Sequence, residues 1–416
     1  MNFTPIIYIT QGMKYFFIFI ISIVFSNIVS AQFLSTGIWR AEFSTPGGAL
    51  PFNFEISLTQ NGYSFELING DERIATREIS MDDNVLFVYL PVFNSTIVAD
   101  ISRSGKTMEG FFHDYSRGDN YAIPFTAAAG QSFRFFEHPQ SPSGDISGRW
   151  ETHFVADNEM YEAVGVFKQN GNHLTGTFLT ETGDYRYLQG DVSGNQFYLS
   201  TFDGSHAFLF IGTILNDSVL EGKYFSGIHW QEQFTCKRND TVQIGDPESL
   251  TYLKEGYTSV DFCFPDVLGD TICSTDQQFQ NKVTILQIMG TWCPNCMDES
   301  AYLAEVYRKY HAAGLEVVAL AFERETDPEA AKINFERLKR RFGIEYPILL
   351  AGTNRKSEAS KVLPMLNAVI AYPTLIVIDR DKQVVMMHTG FNGPATGDLY
   401  SEFIIHFEQE LQRLLK

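Results

Sequence analysis

The feature that most constrains the fold of this chain is a cysteine pair, Cys293 and Cys296, placed between a strand-like and a helix-like segment. Residues 283–289 form an apolar, strand-like run, and residues 297–314 have the pattern of a helix. The first N–H groups of a helix are unpaired and carry a partial positive charge, which favours the thiolate form of a cysteine placed there. Two cysteines at this spacing can also close a small disulfide ring. The pattern therefore predicts a redox-active thiol pair.

Length and charge limit the possible folds and partners. The chain has 416 residues, which predicts about two or three domains. Its 44% hydrophobic and 14% aromatic content is sufficient for packed cores. The formal net charge is −19 and no basic run is present, so we expect no nucleic-acid partner and no binding to anionic membrane surfaces.

Residues 1–31 have the three parts of a secretory signal peptide. A basic start at Lys14 precedes the apolar run 15–21, and a small-residue Val-Ser-Ala sequence ends the segment at residue 31. The apolar run is short for a membrane span of about 20 residues. We expect export to the periplasm or cell envelope; the alternative is an uncleaved segment that anchors the protein in the membrane.

The next part of the chain, up to residue 240, alternates between apolar and polar positions in short runs. Gly, Asn and Asp interrupt these runs at hairpin spacing, which predicts antiparallel β-structure. A Gly-x-Trp motif and a Gln-Asn-Gly turn recur 111 and 109 residues later. This steady offset predicts a tandem pair of β-meanders of about six strands each, residues 32–130 and 145–240.

From residue 255 to residue 416 strands and helices alternate. Strands are predicted at 315–322, 346–350, 374–379 and 383–388. A helix begins after Asp327 and ends at Gly343, and a final amphipathic helix spans 402–415. Such alternation predicts a central sheet with helices on its faces.

Three motifs in this last part resemble one family. Phe-x-Phe-Pro-Asp at 262–266, Trp-Cys-Pro-Asn-Cys at 292–296 and the Ala-Tyr-Pro-Thr segment at 371–379 occur in the order and spacing of TlpA/ResA-like thiol–disulfide oxidoreductases. The resemblance covers about residues 255–416 and does not extend to residues 32–240. It implies a thioredoxin-like domain, so the whole chain is expected to be an antiparallel all-β tandem repeat region followed by an α/β thioredoxin-like domain.

The resemblance also implies roles for individual residues. Cys293 would attack a target disulfide and Cys296 would resolve the mixed disulfide, so that the two form a redox disulfide. Pro373 would be the family's cis-proline, which faces the thiols, exposes backbone groups for an extended substrate and keeps metals away. Trp292 would pack beside the site.

One position departs from thioredoxin. Where thioredoxin has a buried Asp that helps the second thiol lose its proton, this chain has Gln287, which cannot carry a proton. TlpA/ResA-like proteins place a functional Glu near Glu323 and Glu325, and we take Glu323 as the candidate. The alternative is that both are solvated carboxylates of an acidic loop.

The other cysteines and the histidines indicate no cofactor or metal. The five cysteines are an odd number, so at least one thiol is unpaired in an exported protein. Cys263 and Cys273 flank a turn and either pair across a hairpin or lie buried as small apolar residues. A structural zinc site needs two spaced pairs and a c-type haem site needs His after the second Cys, and neither pattern is present.

These patterns favour an exported thiol–disulfide oxidoreductase that reduces envelope proteins, for example in cytochrome c maturation. Its partners would be protein thiols and disulfides, with a membrane-embedded thiol donor as the electron source. The motif does not fix the direction of exchange. One alternative is a thiol peroxidase, although the Pro-x-x-x-Thr-x-x-Cys pattern is missing. Another is a β-repeat protein that binds a ligand or partner and has an accessory redox domain.

Overall fold

The computed structural model describes residues 34–157 and 159–416. The expected signal peptide, 1–31, lies outside the described residues. Three hydrophobic cores are present, one in each of two large β-sheets and one in the α/β part. Within the two described ranges, no helix has the length and apolar character needed to cross a membrane.

The first sheet has nine antiparallel strands. They are β1 (Gly37–Thr45), β2 (Gly48–Thr59), β3 (Gly62–Asn69), β4 (Glu72–Thr76), β5 (Ile79–Asp82), β6 (Val85–Tyr89), β7 (Ser95–Ile101), β8 (Thr107–Asp114) and β9 (Ala122–Ala129). Their order in the sheet is β4-β3-β2-β1-β9-β8-β7-β6-β5, so the first and last strands are neighbours at its centre. Alternate side chains point to one face and form the core, as expected for a half-buried strand.

The second sheet also has nine antiparallel strands. They are β10 (Gly148–Ala156), β11 (Glu159–Asn170), β12 (His173–Thr180), β13 (Gly183–Asp184), β14 (Leu188–Ser193), β15 (Gln196–Phe202), β16 (Ala207–Asn216), β17 (Val219–Ser226) and β18 (Trp230–Arg238). Strand β12 pairs with both β11 and β14, and β10 pairs with β18. The sheet therefore closes on itself.

The two sheets share details of construction. Strands β1 and β10 have the same alternation of buried and exposed residues. Trp39 and Trp150 are fully buried, and each indole Nε1 donates to the carbonyl oxygen of the residue four positions earlier. The prediction of about six strands per unit was too low, because short strands such as β4 and β5 contain too few residues to produce a clear alternation.

The C-terminal part is α/β. Its elements are a hairpin of β19 (Cys263–Pro265) and β20 (Thr271–Cys273), the strands β21 (Val283–Met289), β22 (Leu315–Glu323), β23 (Ile348–Thr353), β24 (Thr374–Ile378) and β25 (Val384–Thr389), and the helices α1 (Pro247–Leu250), α2 (Pro294–Tyr310), α3 (Pro328–Phe342), α4 (Lys356–Val362) and α5 (Asp398–Leu414). The sheet order is β23-β22-β21-β24-β25. Strands β21, β22 and β23 are parallel, β24 runs antiparallel to them, and β25 runs antiparallel to β24. This confirms the expected fold class.

The predicted helix ends are borne out for α3 and shifted for α5. The Asp327 carboxylate accepts a hydrogen bond from the Ala330 amide at the start of α3, and Gly343 ends that helix in the left-handed conformation. Helix α5 begins at Asp398, four residues before the predicted start. Leu399 lies four residues before Phe403 and continues its apolar spacing, so the predicted helix began one turn too late.

Candidate active site

The two cysteines Cys293 and Cys296 lie where β21 hands over to α2. Cys293 is the N-cap of α2, and the Cys296 amide donates a hydrogen bond to Cys293 Sγ at 3.3 Å. The structure pairs the two sulfurs in a disulfide, with the Cα atoms 5.3 Å apart. All seven residues of strand β21 are buried, so the strand fixes the junction between β21 and α2 in the centre of the sheet. The first turn of α2 therefore directs unpaired N–H groups at Cys293.

Pro373 faces the cysteine pair. The Tyr372–Pro373 peptide bond is cis, and the Tyr372 carbonyl oxygen lies 3.4 Å from Cys293 Sγ. The Trp292 indole packs edge to face on the Tyr372 ring, with 5.5 Å between ring centroids, and its Nε1 donates to the Phe322 carbonyl oxygen at 2.9 Å. The Trp292 ring therefore lies between the strand β22 and the residue that precedes the cis-proline.

Glu323 is also brought to this site, whereas Glu325 is exposed. The Glu323 carboxylate accepts hydrogen bonds from the Thr291 amide at 2.9 Å and from the Thr291 hydroxyl at 2.7 Å. Burial raises the pKa of Glu323, and the two Thr291 hydrogen bonds act in the opposite direction. Glu323 therefore holds the backbone two residues before Cys293.

A second buried carboxyl group, Glu299, was not predicted from the sequence. Gln287 is fully buried and its Nε2 donates to Glu299 Oε2 at 2.9 Å and to Ser300 Oγ at 3.1 Å. The other oxygen, Glu299 Oε1, has no hydrogen-bond partner among the described residues. Burial raises the pKa of Glu299 to about 8. A signal was available: Glu299 stands three residues after Cys296 and so shares the helix face that packs on the sheet.

The second β-sheet contributes to the same site through the turn between β12 and β14. The Asn295 amide, which lies between the two cysteines in sequence, donates to the carbonyl oxygens of Asp184 at 3.0 Å and Phe391 at 3.1 Å. At Gly183, where φ is +131°, an added Cβ would lie 2.6 Å from Asn295 Nδ2. Glycine at this position leaves room for the Asn295 side-chain amide against the turn.

Arg186 links both sheets to helix α2. Its guanidinium donates to the Pro294 carbonyl oxygen at 3.1 Å and to the Asp298 carboxylate. It also pairs with Glu72 of the first sheet at 2.5 Å and with Asp203 of the second at 3.2 Å. We call these four charged residues the Arg186 cluster. Because all four side chains are largely buried, the pairing is required to offset their desolvation.

The remaining cysteines lie outside this site. Cys263 and Cys273 face each other in the register of the β19–β20 hairpin and form a disulfide, which settles the alternative left open by the sequence. Cys236 is a buried free thiol. In the part of the chain that the structure describes, no group of three or more His, Cys, Asp or Glu side chains is placed to hold a metal ion.

A five-stranded mixed sheet with a Cys-x-x-Cys pair at a helix N-terminus, opposite a cis-proline, defines a thioredoxin-like thiol–disulfide oxidoreductase. Residues 259–400 match the Redoxin family. ResA thiol-disulfide oxidoreductase of Geobacillus thermodenitrificans (strain NG80-2) is 30% identical over 140 residues, which cover 34% of this chain and 72% of that protein. ResA of Bacillus subtilis (strain 168) is 27% identical over 138 residues, covering 33% and 69%. The chain belongs to the ResA-like thiol–disulfide oxidoreductases of the thioredoxin superfamily.

Two solved structures are similar to part of this chain. A thiol:disulfide interchange protein of the thioredoxin family from Chlorobium tepidum TLS has 21% sequence identity and a TM-score of 0.28, covering 36% of this chain and 97% of that one. A thiol-disulfide oxidoreductase from Bacteroides fragilis NCTC 9343 has 16% identity and a TM-score of 0.27, covering 35% and 99%.

Proposed function

We propose that this oxidoreductase is exported and uses Cys293 and Cys296 to reduce disulfides in proteins of the cell envelope. The observation that carries the proposal is the position of Cys293. Cys293 is the N-cap of α2, and its sulfur accepts a hydrogen bond from the Cys296 amide. The same sulfur lies next to the Tyr372 carbonyl oxygen, beside the cis-proline. A thiolate there is stabilised by the helix terminus and can meet an extended target along residues 371–373.

The exchange would proceed in two balanced steps. The Cys293 thiolate attacks one sulfur of a target disulfide, the target S–S bond breaks, and the other target sulfur leaves as a thiolate that takes up a proton. Cys296 then loses its proton and attacks the Cys293 sulfur, which releases the second target thiol. The target gains two electrons and two protons, and the enzyme becomes the disulfide. Gln287 cannot accept the Cys296 proton, so we assign this role to the carboxylate form of Glu299, whose share of the population rises as pH approaches its pKa of about 8.

The charges around the pair favour reduction as the direction. A strong oxidant of this superfamily is one whose reduced, thiolate form is stabilised. Here the buried acidic groups Glu299 and Glu323 lie near the pair, and the nearby guanidinium of Arg186 is already paired with three carboxylates. Neither acid can stabilise a thiolate as a free cation would. A potential near that of thioredoxin, about −270 mV, is expected rather than one near −120 mV.

The wider context belongs to the same proposal. The signal-like residues 1–31 support export to the periplasm or envelope, with an uncleaved segment as anchor being the alternative. A membrane-embedded thiol donor would return the enzyme to the dithiol state, and apocytochrome c thiols are one candidate target. We treat 32–130 and 145–240 as two copies of one β-unit, supported by the matching Trp39 and Trp150 hydrogen bonds, and 255–416 as the redox domain.

The test combines a measured potential with trapping. Equilibration with glutathione or dithiothreitol buffers gives the potential of the Cys293–Cys296 couple. A Cys296→Ser variant should accumulate mixed disulfides with targets, a Cys293→Ser variant should trap nothing, and Cys236→Ser should behave as wild type. A potential near −120 mV, together with a Cys293 thiolate that persists at acidic pH, would refute the reductive direction. Equal trapping by both active-site variants would refute the assigned roles.

A further inference from the structure

The cysteine pair is largely covered in this structure, although the proposed function requires it to meet another protein. Cys293 is 6% exposed and Cys296 is fully buried. The neighbouring loops are covered too, with Asn295 at 9% and Tyr372 at 7%. An attacking sulfur has to reach the target disulfide directly, so whatever covers Cys293 controls which targets react.

The β-sheets hold the rim of the site at two places. On one side, the Arg186 guanidinium donates a hydrogen bond to the Pro294 carbonyl oxygen in the first turn of α2. On the other side, the Ser116 hydroxyl accepts a hydrogen bond from Arg324 at 2.7 Å, and the Arg324 guanidinium lies over the Trp292 ring, 5.3 Å from its centroid. Both contacts are to residues that neighbour or flank the cysteine pair.

A short turn of the first sheet makes a third contact with the redox domain. We call residues 90–94, between β6 and β7, the cover turn. Val92 is 6% exposed and belongs to the same continuous apolar cluster as Cys293, Cys296 and Tyr372, and Phe93 packs against that cluster. A residue of the β-region thus contributes to the core of the redox domain.

Hydrogen bonds tie the cover turn to both rim contacts. Directly after the turn, the hydroxyl of Ser95 in β7 donates to the Gly204 carbonyl oxygen at 2.6 Å, next to Asp203 of the Arg186 cluster. The Tyr115 amide donates to the Asn94 carbonyl oxygen at 2.9 Å, next to Ser116. The turn is therefore fixed from both sides.

We propose that the cover turn makes Cys293 selective for disulfides in flexible, unfolded polypeptide segments over disulfides in folded proteins. This inference rests on the proposed function and names its substrate class. A folded target would have to dock a surface of several hundred Å² on the loops around the pair, and those loops are already in contact with Arg186, with Ser116 through Arg324, and with the core that Val92 joins. An extended segment needs the width of one strand, about 5 Å, and can follow the cis-proline loop to the sulfur.

The first test compares two substrates. One is a short flexible peptide closed by a disulfide, and the other is insulin, whose disulfides lie in a folded protein. Wild type should prefer the peptide, and a Val92→Gly/Phe93→Ala variant should lower the peptide-to-insulin ratio of kcat/KM by about fivefold or more. The peptide rate itself should remain within about twofold, since the exchange chemistry is untouched. Leu58→Ala, at a 64% exposed position of the same region, is the control.

The second test measures access without catalysis. In a Cys263→Ser/Cys273→Ser/Cys296→Ser background, Cys293 is the reactive thiol, since Cys236 is buried. N-ethylmaleimide and a maleimide coupled to a small folded protein then report access for small and folded partners by the same chemistry. The cover-turn substitutions should lower the ratio of the N-ethylmaleimide rate constant to the rate constant of the protein-coupled maleimide by about fivefold or more.

The outcomes separate the two proposals. If neither peptide nor insulin is reduced, the proposed function fails. If both are reduced but their rate ratio is the same in wild type and the cover-turn variant, the function stands and the selectivity is refuted. The selectivity is also refuted if the ratio of the two maleimide rate constants is unchanged in a variant that has the circular dichroism spectrum of wild type. A variant that does not fold is replaced by Phe93→Leu with the same two reagents.

Discussion

The buried carboxyl group of Glu299 should make the redox domain less stable as pH rises. Its pKa is raised by burial from 4.5 to about 8. Between these values the folded chain holds a proton that the unfolded chain has released. The free energy of unfolding therefore falls through this window as pH rises, by about 1.4 kcal/mol per pH unit. The full effect above pH 8 is up to about 5 kcal/mol.

Glu299→Gln removes this titration and keeps the shape of the side chain. The glutamine carbonyl oxygen can still accept from Gln287 Nε2. We expect the variant and wild type to be about equally stable near pH 4.5. At pH 8 the variant should be the more stable by several kcal/mol, on the order of 4 kcal/mol relative to the difference at pH 5.

The measurement must report on the redox domain alone. Urea unfolding at pH 5, 6.5 and 8, read by pulsed hydrogen exchange of the β21 amides, follows the central strand of that domain. Glu325→Gln, at an exposed position of the same domain, is the matched control. A stability difference between Glu299→Gln and wild type that stays constant from pH 5 to pH 8 would refute the reasoning. The variant should also slow the resolution step, which separates the catalytic role from the structural one.

Three further expectations follow from buried groups. Arg186→Leu leaves three carboxylates of its cluster unpaired and should lower stability by about 3–5 kcal/mol, seen as a lower thermal midpoint; an unchanged midpoint would contradict it. Burial raises the pKa of Cys236 to about 12, so native protein should show one titratable thiol fewer than protein in urea. Thr291→Val loses the hydroxyl bond to Glu323 and should cost about 1–3 kcal/mol, while Thr291→Ser should behave as wild type.

The elements that sequence patterns predicted well are those set by local signals. Strand β21 has the predicted bounds because a run of apolar residues with a turn after it needs no distant partner to be recognised. Helix α3 begins and ends where predicted because Asp327 and Gly343 satisfy its terminal groups. The Cys293–Cys296 pair was identified in the same way, from its position between these local patterns.

The features that escaped prediction depend on contacts between distant parts of the chain. Arg186 meets Asp298 and Glu72, each more than a hundred residues away in sequence, and nothing local distinguishes it from a solvated arginine. Val92 lies between two strands of the first sheet, yet it belongs to the apolar core of the redox domain. Glu299 was not predicted because a helix glutamate is commonly exposed, and its burial depends on its contact with Gln287 of the distant strand β21.

The central pairing of β1 with β9 has a mechanical consequence. The residues at the start of β1 pair with those at the end of β9, Trp39 opposite Ala129, so the chain enters and leaves the first unit at one end of the same ladder. The second unit repeats this with Trp150 opposite Arg238. Tension applied along the chain would load these ladders one hydrogen bond at a time rather than all together. When the chain is pulled from its ends, the strands of each unit should therefore separate sequentially and at low force.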